Sequence, residues 1–293
     1  MAIASTRHVF PVRHYDLAAT LDSGQAFRWE PQAGAWLGVV GQRWVKLRQT
    51  DSGIEAQTGQ AVADWRWLAD YLQVEADLAA MLASFPDDPP MRAAVKSCHG
   101  LRLLRQEPWE CLASFILSST KQIVQIRQII GELCRRYGEP LAVPSGAAAE
   151  FAFPTAARLA EVSEAELRES RMGFRAPFLR EAARRVAAGE MKLDALGELS
   201  LAAARVQLEQ LPGVGPKIAD CVLLFSGSQS AAFPVDVWVM KALRQLYFPE
   251  QEIALPRLKE FAATHFGPHA GCAQQYLFHY MRKTAGRVAE VST

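Results

Sequence analysis

Leu211-Pro-Gly-Val-Gly-Pro-Lys217, with Pro234-Val-Asp236 closing nineteen positions beyond its lysine, is the stretch on which the reading of the chain turns. Apolar helical text runs into it from Leu201 to Leu211, and a second apolar helix is expected from Ile218 to Phe225. The order is helix, tight hairpin, helix. Gly213 and Gly215 are expected to supply positive φ and a main chain that a ligand can approach closely. Pro216 suits the first turn of the second helix, where its missing N–H would have had no partner. Exposed amides at a helix start attract anions, and a phosphodiester is the natural guest.

Lys217 lies one residue inside that helix end. The positive end of the macrodipole disfavours a second positive charge there and favours the neutral amine, a nucleophile able to form a Schiff base. Asp236 precedes another apolar run, Val237 to Leu246. An Asp N-cap accepts backbone N–H bonds, which are expected to keep the carboxylate ionised and to fix its direction. One return of the chain thus brings an amine and a carboxylate within reach of each other. Each feature also has a plain alternative. The lysine can be solvated, the aspartate can be only a cap, and the hairpin can clamp phosphate without chemistry.

The run LPGVGPKIADC followed by PVDVW resembles the helix-hairpin-helix–Gly/Pro–Asp superfamily of DNA base-excision glycosylases. Within it, the chain is similar to the 8-oxoguanine DNA glycosylases that also cleave the strand as abasic-site lyases, from about Leu21 to Phe278. The resemblance implies Lys217 as nucleophile on the sugar and Asp236 as its electrostatic partner. Ser23-Gly-Gln-Ala-Phe-Arg-Trp29 resembles the family segment whose glycine carbonyl accepts the N7–H that 8-oxoguanine has and guanine lacks. Gly24 would hold that role. By the same resemblance Gln274 hydrogen-bonds the Watson–Crick edge of the base, Phe278 stacks on its ring, and Cys221 closes the other side. Without the family, Gly24 is a turn glycine, Phe278 and Cys221 are core residues, and Gln274 is a solvated helix residue. The amides at Gly213 and Gly215 would hold the DNA backbone. Main-chain carbonyls of Leu211 and Val214 would bind a structural monovalent cation.

The chain departs from the eukaryotic-type pattern where the orphaned cytosine is read. After Leu117-Ser-Ser119 that pattern has an Asn run and a nearby Arg; here stand Thr120-Lys121-Gln122 and Gln125. Gly173-Phe174-Arg175 keeps an aromatic wedge candidate in Phe174 and a cytosine-contacting candidate in Arg175. Trp238 replaces a histidine that usually follows the Asp by two. Discrimination for cytosine opposite the lesion is therefore expected to be relaxed. Lys121, Lys241, Arg244 and Arg282 are candidate phosphate contacts.

A formal net charge of +1 means that any nucleic-acid surface is a local patch and not a global field. The five cysteines (Cys98, Cys111, Cys134, Cys221, Cys272) are scattered, odd in number and without CxxC spacing. That pattern argues for free thiols and against structural zinc or the four-cysteine iron–sulfur loop of some glycosylases. No cofactor is expected to be required. With no signal peptide or membrane-length apolar run, an intracellular monomer is expected, cytoplasmic in a bacterium or nuclear in a eukaryote, whose partner is double-stranded DNA with a damaged base.

The fold expected is α+β: an N-terminal antiparallel β-sheet lobe, TBP-like by the resemblance, over residues 1–100, packed on a mainly helical bundle over 101–293. Strands are expected at Ala26–Trp29, Ala35–Val40 and Arg43–Arg48, then helical text from Ala61 to about Ser84, ended by Pro86–Pro90. Further helices are expected at Pro108–Ser119, Ile123–Tyr137, Thr155–Val162, Ser163–Arg171, Phe178–Ala188, Pro256–Phe266 and Ala270–Gly286, with a surface loop from Gly138 to Pro154. Two rival functions stand beside the lyase. One is a related glycosylase that removes alkylated bases, keeping the Asp without needing the Lys. The other is a non-catalytic helix-hairpin-helix DNA-binding module.

Overall fold

The computed structural model describes residues 6–119 and 121–291, with side chains to residue 284; Thr120 of the expected opposite-base run lies outside them. Five strands, β1 (Thr6–Phe10), β2 (Trp29–Gln32), β3 (Ala35–Val40), β4 (Arg43–Thr50) and β5 (Gly53–Thr58), form one antiparallel sheet in the order β1-β5-β4-β3-β2. In β4, Val45 and Leu47 are buried while Lys46 and Arg48 face out, the alternation of a sheet with one wet face. The dry face closes over α1 (Leu17–Leu21) and α2 (Arg66–Leu72), with Leu17, Leu21, Leu68 and Leu72 in its core. The strand expected at Ala26 starts only at Trp29. The residues before it leave the sheet and turn toward the helical part.

The helical text from Ala61 to Ser84 is two helices, α2 and α3 (Leu78–Ala83). Gln73 ends the first in the left-handed conformation, and the Asp77 side chain caps the second. The following prolines do not merely stop a helix. Pro89 and Pro90 open α4 (Pro89–Cys98), whose Asp88 N-cap accepts the Met91 N–H at 2.8 Å. Proline costs nothing in a first turn, because those N–H groups have no intrahelical partner.

The remaining helices are α5 (Pro108–Ser118), α6 (Ile123–Tyr137), α7 (Ala156–Glu161), α8 (Glu164–Leu167), α9 (Ala176–Ala187), α10 (Leu201–Glu209), α11 (Pro216–Phe225), α12 (Val237–Tyr247), α13 (Leu255–His265) and α14 (Ala270–Val291). Ser163 and Glu166 make the capping box their spacing promised. The expected Ser163–Arg171 helix nevertheless breaks after Leu167 into a distorted turn, Arg168–Met172, in which Arg171 has a φ of 61°.

Two apolar cores divide the helices. Helices α5, α6, α9 and α11 share one. The other joins Phe85, Met91, Ala94 and Cys98 to Val239, Leu258, Phe266 and Tyr276. Helix α4 therefore packs with α12–α14, so a cut at residue 100 passes through a shared core. One small cavity is lined from both, by Phe115, Cys221 and Phe225 of the first core and by Phe278, which packs on the second.

Candidate active site

The hairpin forms as the glycines and proline require, with one exception. Gly213 takes a φ of +79°, and a β-carbon there would lie 2.5 Å from Cδ2 of Phe178. Gly215 does not use positive φ. It is the N-cap of α11, in extended backbone at φ −102° and ψ −179°, with open space where a β-carbon would be. Its small size keeps the helix start uncovered, and that leaves the amides of the first turn open to a ligand.

Lys217, in the first turn of α11, and Asp236, the N-cap of α12, line one cavity. Gly24, Phe115, Cys221, Gln274 and Phe278 line it as well. The Lys217 Nζ lies 5.5 Å from the centre of the Phe115 ring, and its ammonium pulls on both the Asp236 carboxyl and the Cys221 thiol. Asp236 accepts the Val239 N–H at 2.8 Å, so the cap that the sequence implies is made. Its acidity runs against the expectation. Burial pushes the carboxyl above the usual aspartate range, and the α12 amides, Lys217 and Arg282 offset this only in part. Cys221 is buried and its thiol is pushed up to about 12, so it contributes shape and not a thiolate.

Gly24 has a φ of +79°, and its surroundings explain the glycine. A β-carbon would meet Ile123 Cδ1 at 3.3 Å and Phe278 Cε1 at 3.5 Å, filling the place where a base would approach the main chain. Two glutamines that sequence reasoning missed hold this segment in place. Gln25 Nε2 donates to the Thr20 and Arg102 carbonyls at 2.9 and 2.8 Å, while its Oε1 accepts the Leu104 N–H at 2.8 Å. Gln275 Nε2 donates to the Ser23 carbonyl at 2.9 Å, tying α14 to the residue before Gly24. The signal was present in Ser23-Gly-Gln and Gln274-Gln275, but burial of the amides is a tertiary fact.

Gln274 is 3% exposed, and its Oε1 has no hydrogen-bond partner among the described residues. An orphaned buried acceptor costs roughly 1–3 kcal/mol. A ligand with N–H donors would remove that cost. The cavity holds only about 50 Å³, room for a water or two, so a base-sized ligand fits only if its walls, Phe278 among them, move apart.

The other expected DNA contacts differ in exposure and surroundings. Phe174 is 55% exposed and braced edge-on by Phe178, the ring that packs under Gly213. Arg175 is instead 2% exposed, with its guanidinium 4.2 Å from the centre of the Phe174 ring and Nη1 donating to the Met172 carbonyl. It supports the wedge candidate from behind and reaches a base only by leaving that stack. Lys121 lines a polar cleft with Arg171, Lys241 is exposed over Trp238, and Arg244 is exposed on α12. The guanidinium of Arg282 sits 5.5 Å from the centre of the Phe278 ring, which lines the cavity. The Leu211 carbonyl accepts the Val214 N–H at 3.1 Å and retains a second lone pair. Among the described residues no group of three or more His, Cys, Asp or Glu side chains gathers to hold a metal, and no helix is long and apolar enough to cross a membrane.

Two family profiles together match residues 8–263. That of the 8-oxoguanine DNA glycosylase N-terminal domain matches residues 8–112, and that of the HhH-GPD superfamily of base excision DNA repair proteins matches residues 113–263. The N-glycosylase/DNA lyase OGG1 of Arabidopsis thaliana is 33% identical over 282 residues, 89% of this chain and 76% of its own length. Among solved structures, MBOgg1 with a low-affinity DNA ligand superposes with a TM-score of 0.89 at 32% identity, covering 96% of each chain. The Clostridium acetobutylicum 8-oxoguanine glycosylase/lyase, bound to duplex DNA with cytosine opposite 8-oxoguanine, gives 0.86 at 32% identity over 92% of this chain and 93% of that one.

Proposed function

Because the chain belongs to the HhH-GPD superfamily of base excision DNA repair proteins, with the N-terminal domain of the 8-oxoguanine DNA glycosylases, we propose that it excises 8-oxoguanine from duplex DNA and then cleaves the strand as an abasic-site lyase. The observation that carries this reading is the single cavity walled by Lys217, Asp236, Gly24, Gln274 and Phe278. Extruding a nucleotide costs a few kcal/mol, least for a damaged or mispaired one. The Gly24 carbonyl accepts N7–H, which guanine lacks, and the orphaned Gln274 Oε1 accepts N–H donors of the Watson–Crick edge.

As the N-glycosidic bond breaks, positive charge builds on the sugar, and Asp236, held by its cap bond, stabilises it from a fixed position. The neutral Lys217 amine forms the new bond to C1′ while the base leaves with the electron pair of the broken one, and the proton shed by the nitrogen goes to the departing base. Ring opening gives an imine. Loss of a proton from C2′ then expels the 3′ phosphate, and the strand is nicked. In this reading the protein acts as a monomer inside the cell, where genomic DNA is. The hairpin carbonyls of Leu211 and Val214 are neutral oxygen donors of the kind a structural monovalent cation accepts, and no chemical step depends on one.

Borohydride trapping tests the assignment. The wild-type protein is expected to give a covalent adduct with duplex DNA carrying 8-oxoguanine. Lys217→Gln is expected to lose the adduct and the nick while retaining fold and DNA binding. Base release without any adduct from the wild-type protein would instead mark the monofunctional, alkylated-base type of enzyme. Binding without base release would mark a passive module.

A further inference from the structure

Between α6 and the turn Arg168–Met172 lies the polar cleft that holds Lys121, of about 610 Å³. It shares no lining residue with the base cavity. Lys121, just before α6, and Gln125, Gln128 and Glu132 along it line the cleft, whereas Ile123 points its Cδ1 toward Gly24. Four cationic side chains face two carboxylates there, and both carboxylates are taken. Glu132 pairs with Arg135 and Arg136 at 2.8 and 2.6 Å, and Glu169 with Arg136 at 2.7 Å. Lys121 and Arg171 are left over. Neither side chain has a hydrogen bond or an ion pair among the described residues, although the Arg171 charge reaches Glu132 from further off. In a chain of formal net charge +1 this is a local concentration of free positive charge.

Arg171 also has a backbone conformation that arginine does not favour. Its φ is 61° and its ψ 19°, in the left-handed region. Glycine enters that region freely, and a residue with a β-carbon is strained there. The turn would be relaxed with glycine at this position, yet it carries an exposed guanidinium that holds nothing in the protein. Strain kept under such a side chain points to a contact outside the chain. The turn leads within three residues to Phe174, the exposed wedge candidate, and Phe178 behind that ring packs on the hairpin. In the function proposed, the hairpin amides hold the strand that carries the lesion. A wedge in the place of the everted base then leaves Arg171 and Lys121 to the strand that carries its partner.

We propose that Arg171, with Lys121, holds a phosphodiester of the strand opposite the lesion. This rests on the excision of a base from duplex DNA proposed above, and adds a contact that the reading does not assign. A phosphate contact carries no sequence information, so it adds affinity without choosing between cytosine and adenine.

Binding of the full chain to a duplex with an uncleavable abasic-site analogue, followed by fluorescence anisotropy over a range of salt, tests this. Arg171→Gly removes the guanidinium and relieves the strain. It is expected to bind about tenfold more weakly, the loss of one charge-assisted contact, and by a like factor with cytosine or adenine opposite. The salt dependence, log K against log salt, is expected to become shallower by about 0.9. The unfolding midpoint is expected to be no lower than wild type, which a structural role for the side chain would not allow. Arg171→Lys is expected to restore the salt dependence. Uncharged methylphosphonate linkages around the site in the opposite strand are expected to erase the difference between wild type and Arg171→Gly, and in the lesion strand to leave it. An unchanged salt dependence or a lower midpoint in Arg171→Gly, a loss confined to one opposite base, or erasure from the lesion strand alone would overturn the proposal. Borohydride trapping by the wild type would then still support the function. Wild-type protein that binds no duplex would overturn both.

Discussion

Asp236 is asked for two things that oppose each other. As the N-cap of α12 its side chain accepts a backbone N–H bond, and in the mechanism proposed it would also have to be charged while buried, as the electrostatic partner of a developing cation. Burial raises its pKa above that of an unfolded aspartate. The folded state therefore takes up a proton more readily, and stability that this proton confers in acid is lost as pH rises through the raised value. Activity runs the other way: base release is expected to fall on acidification, beginning nearer neutrality than for an exposed aspartate. Asp236→Asn keeps an equally good cap and removes the charge. It is expected to lower single-turnover base release about 10²- to 10³-fold, a fixed transition-state contact being worth that much, with an unfolding midpoint no lower than wild type. Asp236→Ala, lacking the cap, is expected to lose about 1 kcal/mol of stability. The cap was legible from Pro-Val-Asp before an apolar run. The net acidity was not, because it depends on burial and on Arg282, which lies in another helix forty-six positions away.

At the scale of elements, the two hairpin glycines look alike in sequence and differ in kind. Gly213 needs its positive φ and has Phe178 where a β-carbon would go, whereas Gly215 has ordinary extended backbone and open space. Gly213→Ala is expected to destabilise the protein by roughly 1–3 kcal/mol, the range for a strained backbone position. It should also push Phe178 away from Phe174. Gly215→Ala is expected to stay within about 0.5 kcal/mol of wild type, as surface changes do, yet to weaken DNA binding, since its methyl group stands over the open amides. Chemical denaturation and binding to an abasic-site duplex separate the two effects, and equal stability losses in both variants would refute the distinction. Sequence pattern revealed the helices, the hairpin and most caps because each depends on neighbours in the chain. It missed α4 because proline reads equally as a stop and as a first turn, and only the Asp88 cap bond decides between them.

For the whole molecule, the question is which base of the pair carries the recognition. In the function proposed, the damaged base would enter a small, closed cavity whose walls include Gln274 and Gly24, gathered from distant parts of the chain by Gln25 and Gln275. The opposite base has far less. Gln125, standing where the eukaryotic-type pattern has an arginine, is folded back on its own helix, its Oε1 accepting the Gln122 N–H at 3.2 Å as part of a capping box. Arg175 is buried against Phe174. Each bidentate base contact contributes about 1–3 kcal/mol of discrimination, so losing two removes several powers of ten of preference. Excision of 8-oxoguanine opposite cytosine is therefore expected to exceed excision opposite adenine by no more than about tenfold, roughly one such contact. Gln125→Arg is expected to widen the ratio. Single-turnover rates on duplexes differing only in the opposite base measure it. A wild-type ratio in the thousands would mean that Arg175 leaves its stack to read cytosine, and Arg175→Lys, which cannot make the bidentate contact, would then collapse that ratio.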